Sequence, residues 1–237
     1  MMFGFSTRMQ DNQSQSNGIF NLSDTGADVN IVNQDGCTAL RTASSIGHVA
    51  AVTVLLDTGA NVNEVDQDGS TVLYISSRNG RTEVVSLLLD RGADINAVNQ
   101  DGYTALSTAS RNGHIAVVSV LLDRGANVNI ADKDRRTALW KASCIGRLDI
   151  VTLLLKRGAD VNVVDKNGDT ALSIAASGGY VRVERFLLAI GADRRAGIYL
   201  RQLMIRQRAN EHPDTAGAFC RICCCVCMSA TVLCVIA

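Results

Sequence analysis

Residues 121–129 spell LLDRGANVN, and nearly the same letters return along the chain: LLDTGANVN at 55–63, LLDRGADIN at 88–96 and LLKRGADVN at 154–162. The copies start 33 residues apart without one insertion. A period of that size marks stacked copies of one supersecondary unit, each burying its apolar face against its neighbours. The fold is therefore a line of units and not a single folded-back core.

Working outward from that stretch, Gly36, Gly69, Gly102 and Gly168 stand in register, with Arg135 in the fourth slot. Two residues further on, Thr38, Thr71, Thr104, Thr137 and Thr170 recur in all five copies. A threonine just before TALxxAS is a helix N-cap, its hydroxyl accepting a backbone N–H that the first turn leaves unpaired. Gly47, Gly80, Gly113, Gly146 and Gly179 are placed to end this short helix in a left-handed conformation. A second helix follows, with Val84, Val85, Leu87, Leu88 and Leu89 spaced to bury most of its sides. Gly59, Gly92, Gly125, Gly158 and Gly191 close it, and Asp/Asn/Gly turns such as VDQDG predict a tight reversal between two short extended pieces. Helices of roughly eight residues do not persist alone in water, since isolated helices need about 12–15 residues to be marginal. Stacking must hold them.

The order turn, DGxTxL, helix, glycine, VVxLLLxxGADVN is similar to the ankyrin repeat over about residues 19–197. The resemblance implies an all-α repeat fold, an α-solenoid of stacked helix–turn–helix units with projecting β-hairpin-like turns. Five full repeats (35–67, 68–100, 101–133, 134–166, 167–197) follow a half repeat at 19–34, in which Ile19 and Leu22 take the Val85 and Leu88 positions. A polar leader covers 1–18; a basic helix at 198–212 is expected to cap the array, with a linker and Cys-rich apolar tail at 213–237. The family's TPLH becomes TALR at Thr38–Arg41, then TVLY, TALS, TALW and TALS. Each lost proline forgoes about 0.4–1 kcal/mol of unfolded-state restriction, so a softer array is expected. The GADVN asparagines Asn30, Asn63, Asn96, Asn129 and Asn162 resemble sites that an asparagine hydroxylase modifies in some members, although turn hydrogen bonding is the main role expected of them.

Lysine plus arginine balances aspartate plus glutamate at 23 each, which gives no global bias toward nucleic acid. Locally, 182–208 carries seven arginines against Glu184 and Asp193. The first residues lack the apolar run of a secretory signal, so a cytoplasmic protein is expected. Cys37 and Cys144 lie in different repeats and are expected to be free thiols. Six further cysteines crowd the last 18 residues. The pairs Cys220/Cys223 and Cys224/Cys227 abut without the loop a zinc site needs, which leaves acylation of Cys220, Cys223, Cys224, Cys225 and Cys227 and attachment to a membrane as the alternative reading. His212–Asp214 spells HPD and is taken as a helix stop. No phosphate loop, nucleophile–base pair or paired carboxylate stands out, so neither catalysis, cofactor nor metal is expected.

The resemblance instead implies a monomeric, non-catalytic module that binds another protein through a concave face of first helices and turn tips. Positions varying between copies belong there, among them Gln34, Cys37, Ile46, Gln67, Ser70, Tyr74, Gln100, Lys133, Cys144, Lys166 and Asp169. The best candidates for contact are Arg78, Asn79, Tyr103, Arg111, Asn112, Arg136, Trp140 and Ile145, because arginine, tyrosine and tryptophan dominate interface hot spots. His48 and His114, after the inter-helix glycine, are expected to make local hydrogen bonds.

Overall fold

The structure is a computed structural model, and it describes residues 28–33 and 37–192. The half repeat's first residues, the basic capping helix and the Cys-rich tail lie outside that range. The described residues form ten helices in five pairs. The inner row comprises α1 (Ala39–Ile46), α3 (Val72–Arg78), α5 (Ala105–Asn112), α7 (Ala138–Cys144) and α9 (Ala171–Ser177). The outer row comprises α2 (Val49–Asp57), α4 (Thr82–Asp90), α6 (Ile115–Asp123), α8 (Leu148–Lys156) and α10 (Val181–Ala189). Each helix packs on its pair partner and on its counterpart in the adjacent repeat, the architecture of an all-α solenoid.

The threonines cap as their spacing requires. Thr38, Thr71, Thr104, Thr137 and Thr170 are all extended, and each accepts the N–H three residues on. In α5 and α9 the serine that replaces the family's histidine reaches back: Ser107 and Ser173 accept the N–H groups of Thr104 and Thr170 at 3.1 and 2.9 Å. These two capping boxes offset part of the proline loss.

Between the rows, Leu40, Leu73, Leu106 and Leu139 from the inner helices meet Val52, Val85, Val118 and Val151 from the outer ones, all buried. Leu88, Leu121, Leu154 and Leu187 complete the layer at 0% exposure, whereas their counterpart Leu55 in the first repeat is only half-buried. Full burial at this position is thus seen in each repeat that another described repeat precedes.

Gly80 shows why the inter-helix glycine recurs. It sits at φ 70°, and a Cβ there would lie 2.7 Å from the His114 ring of the next repeat. That ring's Nε2 meets the Arg78 carbonyl at 2.9 Å, and Arg81 Nε donates to the equivalent Ser45 carbonyl at 3.0 Å. His114 therefore joins repeats, contrary to the expectation of a local role, while His48 does act locally by accepting the Ala51 N–H.

The turns project as Asx-type loops rather than two-stranded ribbons. Asp66, Asn99, Asp132 and Asp165 each accept two N–H groups of their own turn through Oδ1. Only the single bridges Val65–Thr71 and Val164–Thr170 survive of the extended pieces expected from sequence, among the described residues. Neighbouring turns join through backbone bonds from Gln100, Lys133 and Lys166 to Asp68, Asp101 and Asp134, of 2.9, 3.0 and 2.9 Å. Arg135, in the slot that glycine holds elsewhere, has φ 62° and is the one non-glycine with positive φ among the described residues.

Two further ladders tie the stack. Asn30, Asn63, Asn96 and Asn129 each accept, through Oδ1, the N–H 31 residues on, in the following repeat. Their main bond therefore crosses to the neighbour instead of closing their own turn. On the outer row, Asp57–Arg91, Asp90–Arg124 and Asp123–Arg157 pair at 2.6 Å each. These exposed pairs contribute at most about 0.2–1 kcal/mol apiece.

Leu88→Ala is expected to cost about 2–5 kcal/mol in a urea titration, since the side chain is fully buried between repeats. Arg135→Gly should raise stability by about 0.5–1 kcal/mol in the same assay, because the left-handed penalty on arginine exceeds the entropy cost of glycine.

Candidate protein-binding face

The inner row contains four cations, Arg41, Arg78, Arg111 and Lys141, and no aspartate or glutamate. Among the described residues every carboxylate that pairs with these cations comes from the turns. At the first repeat, Arg41 is buried and donates to Asp66 Oδ2 at 2.8 Å and to the Ser70 carbonyl at 2.7 Å, with Glu64 3.9 Å away. Thr38 Oγ1 donates to Glu64 as well, so cap, cation and carboxylate form one network.

Between the third and fourth repeats the side chains of Lys141 and Asp132 are 4% and 2% exposed, and Lys141 Nζ lies 2.7 Å from Asp132 Oδ2. The ammonium also sits 3.5 Å from the centroid of the Tyr103 ring, a cation–π contact across repeats. Burial pushes the Lys141 pKa down to about 8, against the opposing hydrogen bond and charge of Asp132. Burial, then the Asp132 charge, raises that of Tyr103. Next to this pair, Arg136 stacks on Trp140 with its guanidinium 4.5 Å from the ring centroid. Its Nε reaches Asp165 Oδ2 at 3.3 Å, and Asp134 lies 3.5 Å from Nη1.

The structure therefore sorts the eight nominated residues. Tyr103, Arg136 and Trp140 are half-buried and engaged inside the array, and Ile145 is half-buried. Asn79 is exposed but donates to the Ser45 carbonyl and hydroxyl at 3.1 and 2.9 Å. Asn112 is exposed and donates to the Thr108 carbonyl at 3.0 Å. Arg78 and Arg111 are exposed, and among the described residues neither lies within ion-pairing distance of a carboxylate. The nominated cysteines of the tail lie outside the described residues. Arg41, Asp132 and Lys141 were not anticipated. The signal for the last was a lone charge at a helical position that holds Thr42, Ile75, Thr108 and Ile174 in the other copies.

Two shallow concavities of about 530 and 550 Å³ interrupt the described surface. One is apolar and borders Ile31, Val32, Ile46 and Leu55; the other borders the Arg147–Asp149 ion pair and Arg182. Among the described residues no cluster of three or more His, Cys, Asp or Glu could hold a metal. No helix among them is long and apolar enough to cross a membrane.

A family model of three ankyrin repeats matches residues 11–99, 59–132, 92–165 and 131–198. Together these spans cover most of the chain, and it belongs to the ankyrin-repeat family. Members of this family are generally protein–protein interaction modules and typically not enzymes. A search of curated proteins finds no match.

The Lys141 environment sets a pH dependence. Because the folded pKa lies below the unfolded value of 10.5, the unfolded chain binds more protons between about pH 8 and 10.5. Stability should thus rise with pH from about 8; the raised Tyr103 pKa opposes the rise above its ordinary value of 10.0. Urea titrations at successive pH values should show that rise in the parent chain and its absence in Lys141→Met.

Proposed function

We propose that this chain is a non-catalytic adaptor that binds another protein through the concave face of its inner helices and turn tips. The observation that carries the reading is the contrast within the inner row. Arg41 and Lys141 are buried and neutralised by the fold, whereas Arg78 and Arg111 are exposed and unneutralised on a frame whose flanking groups are fixed. An arginine held on such a frame, with little backbone entropy left to lose, is a common interface hot spot.

Capture of binding partners by the full chain tests this. The double variant Arg78→Ala/Arg111→Ala should weaken the captured complex about tenfold, as expected for hot-spot truncation. The outer-row double variant Arg91→Ala/Arg124→Ala should leave it intact. Loss with the outer variant and retention with the inner one would move the binding surface to the opposite side of the array.

A further inference from the structure

We infer that the ligand of this face is an extended acidic segment of the partner protein, with two carboxylates three residues apart in sequence, lying across the second and third repeats. The inference rests on the concave-face reading above and specifies its chemistry. It follows from where charge stands in the groove and from the spacing of the two free cations.

Arg78 and Arg111 occupy the same position of successive repeats, 33 residues apart, in the last turns of α3 and α5. A cation there interacts favourably with the helix dipole. That role alone does not account for the pair, since α1, α7 and α9 have Ser45, Cys144 and Ser177 at the position and are equally seven or eight residues long. The surroundings of both arginines are held: His114 meets the Arg78 carbonyl, Asn79 donates to Ser45, and Asn112 donates to Thr108. Among the described residues, the two guanidinium groups themselves stand without an ion pair.

Along the second and third repeats the two walls of the groove carry opposite charge: Asp66, Asp68 and Asp101 line the tip side, while the helix side has cations alone among the described residues; in the later turns Asp132, Asp134 and Asp165 alternate with Lys133, Arg135, Arg136 and Lys166. Asp66, Asp132 and Asp165 are consumed by Arg41, Lys141 and Arg136, and Asp134 lies beside Arg136. Exposed Asp68 and Asp101 remain on the tips of the repeats that carry the free arginines. An acidic strand is consequently drawn to the helix wall and repelled from the tips, which fixes its track along the row.

Spacing selects the conformation. Helices packed side by side lie about 8–10 Å apart. A polyproline II segment advances about 3.1 Å per residue with three residues per turn, so side chains three apart share a face about 9 Å from each other. Carboxylates at i and i+3 of such a segment meet two arginines one repeat apart, each as a charge-assisted pair in fork geometry.

The full chain, titrated with a short peptide carrying a Glu-Pro-Pro-Glu core, tests this through the arginine Nε–Hε resonances. The expected result is saturable shifts of the Arg78 and Arg111 signals. Affinity should fall at least about tenfold in Arg78→Glu/Arg111→Glu, a charge reversal at two exposed pairs. It should also weaken severalfold when the two glutamates are made adjacent, and as salt rises. Absence of saturable shifts, equal response to a Lys-Pro-Pro-Lys peptide, indifference to spacing, or tighter binding of an oligouridylate would each overturn it. If the peptide fails while capture of protein partners still depends on Arg78 and Arg111, the acidic-segment inference alone falls. If capture does not depend on them, the concave-face reading falls with it.

Discussion

Side-by-side contact between like helix pairs is the constraint on which everything else in this molecule depends. Among the described residues no helix exceeds nine residues, so none has enough internal hydrogen bonds to offset its own nucleation. Order comes from contacts such as those of Leu88, Leu121, Leu154 and Leu187, each fully buried where another repeat precedes it. The same contact sets the height of each step, and through it the distance between equivalent side chains on the concave face. Packing and the proposed recognition are thus governed by one length.

Much of this was legible in the letters. The 33-residue period, the five threonine caps and the glycines at positive φ followed from local chemistry, because each depends on a few residues in one turn. What escaped the reading runs between repeats. The Asp57, Asp90 and Asp123 carboxylates pair with arginines 34 residues on, although Arg91 is the immediate neighbour of Asp90 and Arg124 that of Asp123. Likewise the GADVN asparagines and His114 bond across the step and not within it. A repeating pattern shows that equivalent positions recur, but which atoms touch depends on the offset between units, and that is a property of the packed stack.

The candidate site was less legible for a related reason. Variation between copies marks a position as free from the repeat's own demands, and this picked out Arg78 and Arg111 together with Tyr103, Arg136 and Trp140. Variation does not distinguish a side chain that faces outward from one that serves a partner inside the array. Tyr103 contacts Lys141, a residue unique to the next repeat, and Arg136 contacts Trp140 and Asp165. Two adjacent singular residues that contact each other look, in sequence alone, like two surface residues.

Repeat four concentrates the unfavourable terms of the molecule. Among the described residues it contains the one non-glycine at positive φ, Arg135, and it holds Lys141, whose buried pair with Asp132 of the preceding repeat carries a desolvation cost that is high in any packed interior. In a linear array, cooperativity passes only through nearest neighbours, so a costly unit in the interior acts as a hinge line for opening. Repeats one to three, which hold both free arginines, lie on one side of that line. Amide exchange in this protein is therefore expected to divide into two blocks, with the half that carries the proposed binding groove able to remain closed while the far end breathes.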